Sequence, residues 1–143
     1  MDELVLDYSS DYRSLLNYSD VQKWMKYYYI VFNALYFDDI LPPTNNMIIF
    51  EPVIKKAKYL GCAYNTTPYK IRLNFIYDLI ELEWKNVLLH EMVHVWQFVM
   101  GYSGGHGKSF KMKAKEINKY GWNITTTHQN ILEELRYAKE KNR

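Results

Sequence analysis

A pentapeptide near the middle of the chain has the residue types and spacing of a metal site. His90, Glu91 and His94 stand in the order His-Glu-x-x-His within a mainly apolar run. Residues four apart on an α-helix lie on the same face, so the two imidazoles can bind one metal ion from the same side. Zinc is the metal that such ligands usually take. Glu91 flanks that face, where its carboxylate can take a proton from a water that the ion activates.

The helical periodicity around this motif is consistent with a metal site but does not require one. At about 100° per residue, the two histidines, Glu91 and Phe98 fall on one side of the helix. The opposite side carries the predicted core stripe, formed by Leu88, Leu89, Met92, Trp96 and Val99. The alternative interpretation is a buried helix with two hydrogen-bonded histidines and an incidental glutamate. The residues that follow the motif favour the metal site.

A metal site of this type needs a third protein ligand, and three downstream residues are candidates: His106, Glu116 and His128. Gly101 is predicted to end the helix, and the glycines before His106 allow the chain to turn back toward the motif. The metzincin spacing is absent, because Gln97 stands where that pattern has a glycine. We therefore predict His106 as the third ligand.

Taken together, these residues resemble the SprT-like (Spartan-type) metalloprotease domain, whose members carry H-E-[ML]-x-H followed by H-G-x-x-F. The chain has HEMVH at 90–94 and HGKSF at 106–110. The resemblance also includes Phe32-Asn33, Phe37 to Pro43, Leu60 to Tyr64, Ile71 to Asn74, Ile117-Asn118, and Asn123 to Thr125 with His128. It implies a zincin-like α+β fold, with a three- or four-stranded sheet packed on the active-site helix and flanking helices. It also implies that His90, His94 and His106 bind zinc and that Glu91 is the general base.

The resemblance further implies a substrate class. SprT-like enzymes degrade proteins crosslinked to DNA, and DNA helps to activate them, so single-stranded DNA is an expected partner. Longer members have a Cys-rich zinc ribbon and a DNA-binding tail that these 143 residues do not show. DNA contact is therefore expected from Lys108, Lys111, Lys115 and Lys119. Residues 107–143 hold nine basic and four acidic residues, a net charge of +5 against +2 for the whole chain. A solvated helix face is the alternative interpretation.

The remaining pattern predicts the elements that position the motif. A helix is expected from Ser19 or Asp20 to about Phe37, with its apolar stripe formed by Trp24, Tyr27, Tyr28, Val31, Phe32 and Leu35. Strands are expected at 47–50, 59–64 and 69–74, and helices at 108–120, with a core stripe including Tyr120, and at about 129–141. Residues 1–19 are expected to form an arm or short helix. A strand such as that at 69–74 could hold the substrate along its edge, but the sequence does not show which strand is the edge. Tyr64 and His128 are candidates to contact the substrate or the oxyanion.

Composition sets the broad class. A length of 143 residues predicts one domain, with its core at about 20–130, and 48% hydrophobic with 24% charged residues is ordinary for a globular chain. Cys62 is the only cysteine, so no intramolecular disulfide can form. Neither a signal-peptide pattern nor an apolar run of about 20 residues is present. We expect a protein that is intracellular, cytoplasmic or DNA-associated, with no membrane contact. The alternative functions are a minimal zinc peptidase without DNA dependence and a non-catalytic, zinc-stabilised binding domain.

Overall fold

The structure, a computed structural model, describes residues 17–126, which form three helices and one three-stranded sheet. In chain order the elements are α1 (Tyr18–Tyr36), β1 (Ile48–Val53), β2 (Gly61–Tyr64), β3 (Tyr69–Asn74), α2 (Glu81–Met100) and α3 (Lys108–Asn118). The predicted α+β class is confirmed. The predictions for residues 1–16, for His128 and for a last helix at 129–141 lie outside the described residues.

The N-cap of the first helix lies two or three residues earlier than the sequence indicated. The side chain of Asn17, and not Ser19 or Asp20, caps α1 by accepting a hydrogen bond of 2.9 Å from the Asp20 amide. The buried face of α1 is formed by Val21, Met25, Tyr29, Phe32 and Asn33. Tyr27 and Leu35 are 61% and 62% exposed, so their place in the predicted stripe was wrong. The hydrophobic residues of α1 extend around most of the helix, and only packing against the sheet selects which face is buried.

The sheet has the order β1-β3-β2, with β1 parallel and β2 antiparallel to β3. Strand β3 has the predicted bounds, but it lies in the centre of the sheet. Its two edges are therefore occupied by β1 and β2, which excludes Tyr69–Asn74 as the strand that could hold substrate at an open edge. Within residues 17–126 the edge strands are β1 and β2. Helix α1 packs on β1, and α2 packs on β2 and β3.

The outer edge of β1 is protected against pairing. Tyr69 donates to the Met47 carbonyl and Phe75 donates to the Val53 carbonyl, so odd-numbered residues of β1 face β3 and even-numbered residues face outward. The outward carbonyl of Phe50 accepts a hydrogen bond of 2.8 Å from the Gln22 side chain. Pro52, also outward, has no amide hydrogen to offer. These two features block the pairing of a further strand.

The outer edge of β2 is different. Asn74 donates to the Leu60 carbonyl at 2.8 Å, so the even-numbered residues of this strand pair with β3. The amide and carbonyl groups of Gly61 and Ala63 consequently point to the outer edge. The side chain of Asn74 holds the chain segment that precedes β2, because it donates hydrogen bonds to the carbonyls of Lys55 and Tyr59 at 3.0 and 3.1 Å. The main-chain groups of β2 are thus oriented to accept an added strand.

Helix α2 is the centre of the fold. Every residue from Val87 to Gln97 is buried, so the helix has no solvated side there, contrary to the predicted one-sided core stripe. The sheet and α1 cover one side, and α3 packs on another. Gly101 ends the helix as predicted, with a φ of 80° that glycine adopts readily, and the Tyr102 amide donates back to the Gln97 carbonyl at 2.8 Å.

Helix α3 carries Phe110, Lys113, Ala114 and Ile117 on its buried face. It ends at Asn118, and Tyr120 is 71% exposed, so the prediction that Tyr120 belongs to the core was wrong. Gly121, with a φ of 95°, redirects the chain after the helix.

None of the helices within residues 17–126 combines the length and apolarity needed to cross a bilayer.

Candidate metal centre

Three imidazoles meet at one point between α2 and the loop that follows it. His90 and His94 project from one face of α2, and the loop after Gly101 returns His106 to that face, as the sequence predicted. Nε2 of His106 lies 3.1 Å from Nε2 of His94 and 3.2 Å from Nε2 of His90. One ligand nitrogen from each ring lies within 4.8 Å of the other two. His90 and His94 are buried while His106 is exposed, so the cluster lies at the border between the core and solvent.

The orientation of His90 is set from the far side of its ring. Its Nδ1 lies 2.8 Å from the main-chain carbonyl of Thr125, which can only accept a hydrogen bond. Nδ1 therefore carries the proton and donates, which leaves the Nε2 lone pair facing the other two histidines. Asn118 holds this segment in place: its amide donates to the Ile124 carbonyl at 2.9 Å and accepts from the Ile124 amide at 2.8 Å.

His94 is oriented in the same way. Its Nδ1 lies 2.7 Å from the side-chain oxygen of Gln97, so Nδ1 donates and Nε2 again presents a lone pair to the cluster. His106 can donate one Nε2 proton to one neighbour, but it cannot serve both. A cation among the three nitrogens would be bound by all of them.

The spacing fits a zinc ion. Zinc binds imidazole nitrogen at about 2.0–2.1 Å, and tetrahedral geometry then separates two ligand nitrogens by about 3.3 Å. The two distances from His106, 3.1 and 3.2 Å, are close to that value. Within residues 17–126 the donor set is three imidazoles, which is typical of catalytic sites that leave one coordination position open. The residues present therefore fit a catalytic zinc ion.

Phe110 forms an apolar floor under the cluster. Its ring is completely buried, and its centroid lies 4.8, 4.9 and 4.8 Å from the ring centroids of His90, His94 and His106. An apolar wall on this side excludes water and restricts the rotation of all three imidazoles. The approach to the cluster is consequently from the opposite side.

On that side lies a cleft of about 470 Å³, lined by the three histidines, Glu91, residues 58–63, Phe98, Gly104 and Thr126. Glu91 is only 3% exposed. Gly61 of β2 lies directly against it, since a methyl group at Gly61 would come 2.9 Å from Oε2 of Glu91. The same cleft therefore contains the histidine cluster, a buried carboxylate and the outer edge of β2, which no strand within residues 17–126 covers.

A family model described as the SprT-like family matches residues 25–128. The chain belongs to the SprT-like family. The zincin-like fold that the resemblance implied is thereby confirmed. A comparison with curated proteins found no match. Family membership and the histidine cluster together make this SprT-like domain a candidate metalloprotease with a site that can hold a metal ion.

Two other predicted site residues, Glu116 and Tyr64, lie away from the cluster. Glu116 is exposed, and its carboxylate pairs at 3.5 Å with the ammonium of Lys113, so the structure does not bring it to the histidines. Tyr64 is absent from the cleft lining; its ring packs against Lys70 and Arg72, whose charged groups lie 5.2 and 5.3 Å from its centroid. Alternation along the strands places these three side chains on the sheet face opposite α2. We therefore assign no oxyanion role to Tyr64.

Cys62 and the lysines of α3 can also be placed. Burial and the negative charge of Glu91 raise the pKa of the Cys62 thiol, which favours the neutral form and argues against a nucleophile. The side chains of Lys108, Lys111, Lys115 and Lys119 are exposed along one side of α3. This lysine stripe begins two residues after His106 and forms no ion pair within residues 17–126.

Three groups that position the site were not predicted from the sequence: Gln97, Gly61 and the Thr125 carbonyl. Gln97 had a recognisable signal, since a polar amide three residues after His94 lies on the same side of the helix within an apolar run. Gly61 and the Thr125 carbonyl had no local signal, because their roles depend on which element packs next to them.

Substituting Gly61 tests whether the position of Glu91 matters. In Gly61→Ala the added methyl would lie 2.9 Å from the Glu91 carboxylate and 3.1 Å from the Arg72 carbonyl, and the backbone cannot yield cheaply. If the domain cleaves peptides, we expect turnover to fall by up to roughly 100-fold because the carboxylate is displaced, while the metal content stays at the wild-type level. Gly107→Ala is the matched control, since a methyl there meets nothing within 4 Å. Wild-type turnover in Gly61→Ala would show that the contact is unimportant.

Proposed function

We propose that this SprT-like domain is a zinc-dependent endopeptidase that acts on extended polypeptide segments, including proteins bound or crosslinked to DNA. The observation that carries the proposal is the shared cleft: three convergent imidazoles, the buried Glu91 carboxylate and the open edge of β2 line one cavity. Membership of the SprT-like family supports it. His90, His94 and His106 would hold the metal ion.

Substrate binding is proposed at β2. The outward amide and carbonyl groups of Gly61 and Ala63 can pair with an extended peptide as an added strand. Such pairing recognises the peptide backbone and depends little on the identity of the substrate's side chains. A bound peptide would then lie between β2 and the histidine cluster, with a carbonyl group near Glu91.

Glu91 is the proposed general base. When bound, zinc supplies Lewis-acid chemistry here, polarising the scissile carbonyl and lowering the pKa of a water molecule. Glu91 takes one proton from the water while the water oxygen attacks the carbonyl carbon. The same carboxyl group then gives that proton to the amine nitrogen as the carbon–nitrogen bond breaks. The products are a carboxylic acid and an amine, and Glu91 returns to its starting state.

The lysine stripe supports the DNA-related part of the proposal. Lys108, Lys111, Lys115 and Lys119 present four positive charges on one side of α3, next to the loop that carries His106. Phosphates of a single strand bound along this side would hold an attached protein close to the cleft.

Metal analysis with one cleavage assay tests the proposal. We expect about one zinc ion per chain, as the three-histidine site would hold, together with cleavage of an unfolded protein substrate that a chelator abolishes and added zinc restores. A chain that binds zinc and cleaves nothing would instead be a zinc-stabilised binding domain. If the chain binds no zinc, both the zinc-dependent endopeptidase and the zinc-stabilised binding domain are ruled out.

The same assay with single-stranded DNA separates the remaining alternatives. If the lysine stripe binds phosphates, DNA should raise the cleavage rate, and the logarithm of the binding constant should fall with the logarithm of salt concentration by about 0.7 per phosphate contact. Cleavage that added DNA leaves unchanged would identify a minimal zinc peptidase without DNA dependence.

A further inference from the structure

Gln97 is the buried polar residue of α2 that the proposed mechanism does not use. It is completely buried, one helical turn after His94. A buried amide is costly unless its hydrogen bonds are satisfied, so its partners indicate what it does.

The partners of Gln97 come from three different places in the site. Its nitrogen lies 2.8 Å from the Gly105 carbonyl and 3.0 Å from the Ser109 hydroxyl, and its oxygen lies 2.7 Å from Nδ1 of His94. Since the Gly105 carbonyl can only accept, the atom facing it must be the donating nitrogen. The amide oxygen therefore faces His94, and the orientation of the side chain is fixed by its surroundings.

From this arrangement we infer that Gln97 is a positioning residue that aligns two of the three metal ligands at once. Its oxygen holds the proton of His94 on Nδ1, so that Nε2 is free to bind metal. Its nitrogen donates hydrogen bonds to the carbonyl of Gly105, the residue directly before His106, and to the hydroxyl of Ser109 in the first turn of α3. The inference rests on the proposed zinc site, although the tautomer of His94 can be measured without metal.

The role of Gln97 in holding the loop explains why this site does not need the glycine that the metzincin pattern has at position 97. A glycine at position 97 would have no side chain to reach the loop. With Gln97, α2 continues to Met100, and the loop that returns His106 is held from inside the core instead. The twelve residues from His94 to Gly105 are thereby closed by one side chain that contacts both ends.

Replacing Gln97 tests the inference. Gln97→Met keeps the length of the side chain and removes both hydrogen-bonding ends. We expect zinc affinity, measured by chelator competition, to fall by roughly 10- to 100-fold, the range typical of losing a residue that orients a ligand. In the metal-free variant, nitrogen NMR should show that His94 no longer holds its proton on Nδ1.

Asn33→Leu is the matched control, because Asn33 is also a buried amide that bridges to a loop, through the Leu41 amide and carbonyl. It should lower the melting temperature and leave zinc affinity unchanged. If Gln97→Met behaves like this control, the role of Gln97 is packing alone and the inference is wrong.

If Gln97→Met does not fold, two further measurements test the role of Gln97. Ser109→Ala removes one partner of the Gln97 nitrogen and should weaken zinc binding relative to the wild type; zinc affinity equal to the wild type would count against the inference. Metal-free wild-type protein at mildly alkaline pH should show His94 protonated on Nδ1, and protonation on Nε2 would overturn the inference. Wild-type protein that binds no zinc would count against the proposed function, while the tautomer would still decide the role of Gln97.

Discussion

Glu91→Gln should abolish most turnover and leave zinc bound. The amide has nearly the same size as the carboxylate, but it cannot take a proton from water. General-base catalysis contributes roughly 100- to 10,000-fold, so we expect kcat to fall by that factor. Zinc content should stay at the wild-type level, because the convergent nitrogens belong to His90, His94 and His106 and not to Glu91. The measurement is peptide cleavage under saturating substrate, with metal analysis of the same preparation.

A second carboxylate on the same helix provides the control. Glu81 lies in the first turn of α2, where it accepts a hydrogen bond of 3.0 Å from Trp24 and pairs with Lys85 at 3.7 Å. Glu81→Gln removes the same charge from α2 and keeps an oxygen for Trp24, so turnover should be unchanged. A Glu91→Gln variant as active as the wild type would remove Glu91 from the mechanism.

The second large effect is expected at the third ligand. His106→Ala removes the imidazole that lies within 3.2 Å of both other ligand nitrogens. Zinc affinity should fall by more than the roughly 10- to 100-fold typical of residues that only orient a ligand, and cleavage should fall with it. Since His106 is exposed on a loop, the melting temperature of the metal-free protein should change little.

Glu116→Gln is the control for this experiment, because Glu116 was one of the two competing candidates in the sequence. The amide keeps an oxygen near the Lys113 ammonium, which limits the loss of stability at this buried lysine. Zinc content should be unchanged in Glu116→Gln. A result in which Glu116→Gln loses zinc and His106→Ala retains it would assign the third ligand to Glu116.

Some parts of the fold were predictable because they depend on residues close together in the chain. The bounds of β3 follow from the alternation of Ile71 and Leu73 with Lys70 and Arg72. The end of α2 follows from Gly101, which adopts a positive φ without steric cost. Errors arose where burial selects among several apolar faces, as for Tyr27 and Leu35 in α1 and for Tyr120 after α3.

The features of the site can be separated in the same way, into those that depend on residues close together in the chain and those that depend on tertiary contacts. The pairing of His90 with His94, and the position of Glu91 between them, follow from helical geometry within five residues, so the sequence alone determined them. Tertiary structure decided the strand order that leaves β2 open, the closeness of Gly61 to Glu91, the carbonyl that orients His90 and the hydrogen bonds of Gln97. Periodicity acts along one helix or strand and can be read from residue types. Contacts between distant segments depend on how the whole chain packs, and no short stretch of sequence records that.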